Sequence, residues 1–428
     1  MFLGVHYTFD WSNLWPLVLL IGLGALVPII LSVLKLKFIP VFVIEIVIGI
    51  IIAHIPQVSQ LFLEETTHGF EFNTLSSGIY VIGMAILLFL SGLDTDFSVL
   101  KPIMKKDKKT LNPLPIAWIC IGGVILVSFG LSFAFSRYLT NHYLGIPLLT
   151  IAFASTFASL VIPLVHSEKL HDTTIGKIIC TYSTISEFLS IICLSIIMII
   201  MNNGKNLWII AILITILVLT YIFKKYLNFK SLHDKMEGIV FLGIRLMVFV
   251  FLACVILSAQ TGAEFILGAF LAGLILKTTK ISHKSAEIFE AIGYGVFVPV
   301  FYLLVGINVG TSLDFLSLQT IGLILVLFVV LVIAKAPFMI LFKWYPGRTV
   351  IPTMFVASST IIVSLALGHF NAFDETFIDA LIVASALTCI VPPILFYLDK
   401  KYGTSRPKYD DIIIDPHDIT NTKNIRDN

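Results

Sequence analysis

The stretch Ile178–Met201, IICTYSTISEFLSIICLSIIMIIM, decides how the rest of the chain is read. It is an apolar run, and about 20 such residues at roughly 1.5 Å each suffice to cross a bilayer. Near its middle sits Glu187, directly after Ser186 and one helical turn after Ser183. On insertion scales a charged residue at that depth costs about 2.5–3.5 kcal/mol, so an acid there is read first as a carrier of a proton or a small cation. The bland alternative is a protonated glutamic acid making one interhelical hydrogen bond.

The composition sets the class. Of 428 residues 58% are hydrophobic and 13% charged, with a mean hydropathy of +0.99. Soluble domains carry about 25% charged residues, so most of this chain does not meet water. The five cysteines (Cys120, Cys180, Cys193, Cys254, Cys389) are scattered through apolar runs without CxxC spacing. They read as packing residues rather than disulfide or zinc ligands. The first Lys or Arg is Lys35, after the first apolar run, so no cleavable secretory signal is expected.

Apolar runs separated by polar breaks give about thirteen candidate spans by the bilayer-length criterion. They lie near 12–34, 38–55, 78–93, 114–137, 146–166, 174–202, 206–223, 238–258, 262–277, 288–308, 318–342, 350–368 and 374–398. The third and ninth are short. Every second break is basic, with Lys35 and Lys37, Lys101 to Lys109, Lys169 and Lys177, Lys224 to Lys235, Lys277 to Lys284, and Lys343 with Arg348. The alternate breaks hold little basic beyond Arg137 and Lys205, and one carries Glu64, Glu65 and Glu71. Basic loops stay cytoplasmic. The expectation is therefore a multi-pass protein of the cell membrane, N-terminus outside and C-terminus inside. Residues 1–398 form the membrane domain and 399–428 a polar cytoplasmic tail. No GxxxxGK[ST] loop is present, and GLGALV at Gly22–Val27 lacks the third glycine of a dinucleotide turn. ATP-driven transport, a cofactor and a nucleic-acid partner are not expected.

Two spans interrupt their apolar character in the same way. The fifth reads IAFASTFASLVIP, with Ser155, Thr156, Ser159 and Pro163; the twelfth reads MFVASSTIIVSLALG, with Ser358, Ser359, Thr360 and Ser364. The twelfth is the seventh span after the fifth, an odd step, so they run in opposite directions. That is the pattern of inverted repeats whose discontinuous helices make an ion site at the midplane. Unwinding a helix in lipid exposes carbonyls and amides that need partners or a wet cavity, and hydroxyl residues supply oxygens there. Taken singly, either break could instead be small residues that let helices pack closely.

Other charges lie at depth. Lys335, in VLVIAKAPFMILF, is followed by Pro337, and Glu187 is its obvious charge partner. Arg245 is close enough to a span end to snorkel. Glu45, in FVIEIVIG, is either neutral at depth or paired across the bundle. His166 and His171 flank a loop.

Over residues 12–398 the chain resembles the monovalent cation:proton antiporter-2 family. The stretches that carry the resemblance are IPVFVIEIVIGIII (39–52), LLFLSGLDTDF (87–97), ILGAFLAGLIL (266–276) and AIGYGVFVPVFYLLVGINVG (291–310). It implies an all-α polytopic membrane protein of about 13 transmembrane helices with inverted repeats and two crossing discontinuous helices. It further implies a homodimer. Spans near 12–93 and 238–308 would form the dimer side, and spans near 114–202 and 318–398 a mobile core. The family normally has Asp where this chain has Glu187, preceded by Asp, Asn or Gln where this chain has Ser186. A lysine matching Lys335 typically pairs with the first acid of a two-acid pair. Here that acid is missing, so Lys335 must pair with Glu187, find another acceptor or lose its proton.

The expected function is secondary antiport of Na⁺ or Li⁺ against H⁺, with Glu187 binding either proton or metal cation. Ser183, Ser186, Ser155 and Thr156 are the candidate oxygen ligands. A single carboxylate carrier implies one-for-one, electroneutral exchange. A K⁺/H⁺ antiporter of the same fold is the nearest alternative, followed by a gated cation channel or a membrane sensor. No nucleophile–base constellation suggests an enzyme.

Overall fold

The computed structural model describes residues 15–35, 39–66, 69–94, 113–135, 142–167, 174–201, 242–260, 265–278, 283–314, 317–335, 337 and 373–402. The helices are α1 (Trp15–Val33), α2 (Val41–Ala53), the single turn α3 (Pro56–Ser59), α4 (Thr74–Asp94) and α5 (Pro113–Ala134). They continue as α6 (His142–Ala154), α7 (Ala158–Ser167), α8 (Thr174–Met201), α9 (Leu242–Gln260) and α10 (Phe265–Thr278). Next come α11 (His283–Ile292), a π-helical turn at Gly293–Phe297, α12 (Val298–Ser312), α13 (Leu318–Ala334) and α14 (Glu375–Tyr402). Among the described residues, six helices are long and apolar enough to cross a membrane, and shorter apolar helices fill the remaining described spans. The protein is a polytopic, all but wholly helical membrane protein. The expected spans near 206–223 and 350–368 lie outside the described residues, and so do Ser358, Ser359 and Thr360 of the second break.

Several boundaries differ from the sequence expectation, each for a local reason. α4 begins earlier than 78 because Asn73 caps it: Asn73 Oδ1 accepts from Ser76 N–H at 2.9 Å while its amide donates to Leu61 O at 2.8 Å. α13 ends at Ala334 with Lys335 as its C-cap, and residues 338–342 of that expected span lie outside the described residues. α14 carries Pro392 and Pro393 yet runs to Tyr402, past the expected boundary at 398. The acidic loop forms an antiparallel hairpin, β1 (Leu63–Thr66) with β2 (Gly69–Phe72), which pairs Glu64 with Glu71.

The chain divides into two compact units, residues 1–87 with 286–312 and residues 88–285 with 313–428. In the first, α2 lies on α12 through glycines. A Cβ on Gly49 would come within 2.8 Å of Gly306 Cα, and one on Gly310 within 2.6 Å of Ala53 Cβ. Small residues let helix backbones approach where lipid gives no hydrophobic drive for association. Leu20, Ile52, Phe62, Val300, Leu304 and Ile307 build the core around this crossing. The π-helical turn precedes Pro299, whose ring would clash with the carbonyl four residues back in a regular helix.

In the second unit the end of α4 meets α10 in the same manner, Gly92 against Phe270 and Gly273. Phe188 of α8 packs against Phe270 with tilted rings, their centroids 6.0 Å apart. Residues 242–278, assigned from the sequence to the dimer side, group here with the second unit. The division into dimer and core sides remains a proposal.

Gly49→Val is expected to lower the Tm of the detergent-solubilised protein, since overpacking a tight contact costs about 1–3 kcal/mol. Gly22→Val, which meets nothing within 4 Å, should leave it near wild type. Thermal unfolding followed by size exclusion checks both.

Candidate functional site

The site grows from one interruption. α6 and α7 are two halves of one crossing, and Ser155, Thr156 and Phe157 between them are not helical. A helix end leaves up to four carbonyls or four N–H groups without intrahelical partners. In lipid these need partners from the protein. The sequence supplies some locally: Ser155 Oγ donates to Ala152 O at 3.0 Å, and Phe157 O accepts from Val161 N–H at 3.0 Å.

Others are met by two charged side chains. Lys335 Nζ donates to Ala154 O at 2.5 Å, to Ser155 O at 2.6 Å and to Thr156 Oγ1 at 3.2 Å. An ammonium has three N–H donors, and here they meet three acceptors at the carbonyl end of α6. On the other side Ala158 N–H, the first of α7, donates to Glu187 Oε2 at 3.0 Å. The macrodipole leaves about half a negative charge at a helix C-terminus and half a positive one at an N-terminus. The cation therefore sits at the negative end and the carboxylate at the positive end. Both side chains are buried, Glu187 4% and Lys335 0% exposed.

Neighbouring hydroxyls complete the arrangement. Ser91 Oγ of α4 donates to Glu187 Oε1 at 2.9 Å. Ser186 Oγ donates to Ala154 O at 3.3 Å, and Thr156 Oγ1 donates to Tyr182 OH at 3.3 Å. Ser183 Oγ turns back to Cys180 O at 3.1 Å. The structure thus gathers Glu187, Ser186, Ser155, Thr156 and Lys335 around one break, while Ser183 bonds within its own helix. For Lys335 the structure shows acceptors other than Glu187. Its hydrogen bonds go to the helix end, and the Glu187 carboxylate is not among their acceptors. Consequently Lys335 and Glu187 are linked through the break rather than by a direct hydrogen bond.

Sequence reasoning did not select Ser91 or Tyr182. Ser91 sits in LLFLSGLDTDF, quoted only for family resemblance, and a lone serine in an apolar run carries no signal of its own. Among the other deep charges, Arg245 near the start of α9 is exposed, as snorkelling requires. Glu45 on α2 is buried, and its Oε1 has no hydrogen-bond partner among the described residues. His166 is exposed at the end of α7, and His171 lies outside the described residues. An apolar cavity of about 330 Å³ adjoins the site, lined by Ile121, Phe129, Pro147, Ala154, Tyr182 and Ser186 among others.

A multi-helix membrane protein with an interrupted helix, whose ends are held by a buried acid and a buried lysine, has the architecture of an ion-coupled transporter. The solved structure of the sodium proton antiporter MjNhaP1 from Methanocaldococcus jannaschii shares the fold, with a TM-score of 0.57. That match covers 90% of this chain and 98% of the other at 16% identity. Residues 18–397 match the family described as sodium/hydrogen exchanger, transmembrane, and the chain belongs to that family. Bacillus subtilis (strain 168) YjbQ, provisionally designated a Na⁺/H⁺ antiporter, is 29% identical over 90% of this chain, which spans 63% of that relative's length. The Na⁺/H⁺ antiporter of Enterococcus hirae is 24% identical over 77% of this chain and 86% of its own length. These relatives are named as transporters, not enzymes.

Lys335→Met removes one donor each from Ala154 O, Ser155 O and Thr156 Oγ1, at about 1–3 kcal/mol for each buried group it leaves unsatisfied. The Tm of the solubilised protein should fall clearly. Lys335→Arg, which keeps the charge and the donors, should recover part of the loss in the same unfolding assay.

Proposed function

We propose that the chain is a secondary active antiporter that exchanges Na⁺, or Li⁺, for H⁺ by alternating access. The observation that carries this reading is the Glu187 carboxylate, buried in the second unit and hydrogen-bonded to the first N–H of a half-helix and to Ser91. Glu187 takes either one proton or one cation. A hard monovalent cation wants oxygen ligands, and Glu187, Ser91, Thr156 and Ser183 offer them with water. Lys335 is occupied by carbonyls at the other end of the break. In this reading it stays charged and structural while Glu187 alone is loaded and unloaded.

A single carrier makes the exchange one for one and electroneutral. The protein works as a homodimer in the cell membrane, N-terminus outside and C-terminus in the cytoplasm. Spans near 114–202 and 318–398 move against those near 12–93 and 238–308. The names of the relatives support Na⁺ as the cation, and the loop charges support the orientation.

The direct test is collapse of an imposed pH gradient in proteoliposomes given Na⁺, Li⁺ or K⁺ in turn. The expected result is a saturable response to Na⁺ or Li⁺ that vanishes in Glu187→Gln while expression and dimer formation persist. Exchange retained by that variant ends the proposal, and a response to K⁺ alone replaces the cation. With a sodium gradient and no imposed voltage, transport should carry no current. A current that tracks transport contradicts the single-carrier stoichiometry.

A further inference from the structure

A buried hydroxyl on a membrane helix has a ready fallback: it donates to a carbonyl three or four residues back on its own helix. The described helices use it repeatedly. Thr150 Oγ1 donates to Ile146 O at 2.8 Å and Ser132 Oγ to Ser128 O at 2.8 Å. Ser183 donates to Cys180 O at 3.1 Å, Ser385 to Ile382 O at 2.8 Å and Thr388 to Ser385 O at 2.6 Å. Thr181 and Thr184 forgo it. Both Oγ1 atoms are buried without a hydrogen-bond partner among the described residues. The residues are 0% and 6% exposed. Ser128 Oγ on α5 is also unpartnered, but it is not on the helix that carries the acid.

Position gives the two threonines a meaning. At about 100° per residue, Thr181, Thr184 and Glu187 each stand about 60° round from the last and one turn further along α8. They form a slanting row that ends at the carboxylate. Tyr182, Ser186, Leu189, Ser190 and Cys193 line the apolar cavity, and neither threonine does. The row points back to the N-terminal end of α8 at Thr174, next to Lys169 and Lys177. Basic residues there mark the cytoplasmic side.

We propose that Thr181 and Thr184 form a transit site for water and a partly dehydrated alkali cation between the cytoplasmic end of α8 and Glu187. The proposal rests on the reading of Glu187 as the carrier. A buried hydroxyl denied its helix carbonyl carries a standing desolvation penalty, which is relieved when a water or an ion visits. Each hydroxyl offers lone pairs that replace one water of a hydrated cation, and an O–H that can join a water chain delivering a proton. Two such groups, a turn apart, pass the ion along without holding it.

Two measurements test this. In vesicles with the cytoplasmic face outward, Thr181→Cys and Thr184→Cys should react with a charged, membrane-impermeant methanethiosulfonate severalfold faster than the parent chain. Reaction at the parent rate at both positions means a dry row and overturns the site, whatever the transport activity. In the transport arm, the double variant Thr181→Val/Thr184→Val should exchange about tenfold more slowly, a change of about 1.4 kcal/mol in barrier. Equilibrium binding of ²²Na⁺ should be unchanged, and Thr181→Ser/Thr184→Ser should restore the rate. A wild-type rate in the valine pair overturns the transit site, as does a parallel loss of binding, which would make the threonines final ligands. Failure of the carrier reading is separate, because it shows as exchange surviving in Glu187→Gln.

Discussion

A helix broken inside a membrane must have its loose ends held by something other than lipid. That requirement organises the second unit of this protein. The carbonyls closing α6 are gathered by the Lys335 ammonium, and the first N–H of α7 is held by the Glu187 carboxylate. Either charge alone would be costly at that depth. Together with the two half-helix dipoles they form a row of alternating sign, cation against carbonyls and carboxylate against N–H. The proximity of Ser186 and Tyr182 to the same turn fills in the neutral hydrogen bonds.

In the proposed carrier role, occupancy of Glu187 has a mechanical consequence. A proton on the carboxyl cancels the charge that faces the start of α7, and a metal cation restores balance differently, through its own oxygen ligands. The same event alters the bond to Ser91 on α4. Loading therefore alters the hydrogen bonding of two elements at once, the half-helix and α4. Ser186 is no carboxylate, and Lys335 meets two main-chain oxygens and the Thr156 hydroxyl instead. The loss of a neighbouring acid from the pattern suggested by family resemblance is thus accommodated without leaving an unmatched ammonium.

Much of this was readable from the residues, and the limits are physical. Glu187 stands out because a charge in an apolar run is expensive, and Ser155–Thr156 because hydroxyls in mid-span suit an opened backbone. The all-helical membrane class follows from composition and the spacing of basic loops. Lys335 was legible as a buried charge but its partners were not, since a sequence displays side-chain charges and hides the main-chain carbonyls that a broken helix exposes. Ser91 and Tyr182 gave no signal, because one hydroxyl in a span looks like ordinary packing. The hairpin at Leu63–Phe72 was missed for want of a hydrophobic alternation long enough to register.

The claim at the centre is that one carboxylate serves proton and metal cation in turn. The most direct measurement is proton release from the purified protein in weakly buffered detergent solution as Na⁺ is titrated in, set against the amount of cation bound. One proton freed for each cation bound, and neither event in Glu187→Gln, is the expected result. Cation binding that frees no proton, or that persists unchanged without the carboxylate, contradicts it.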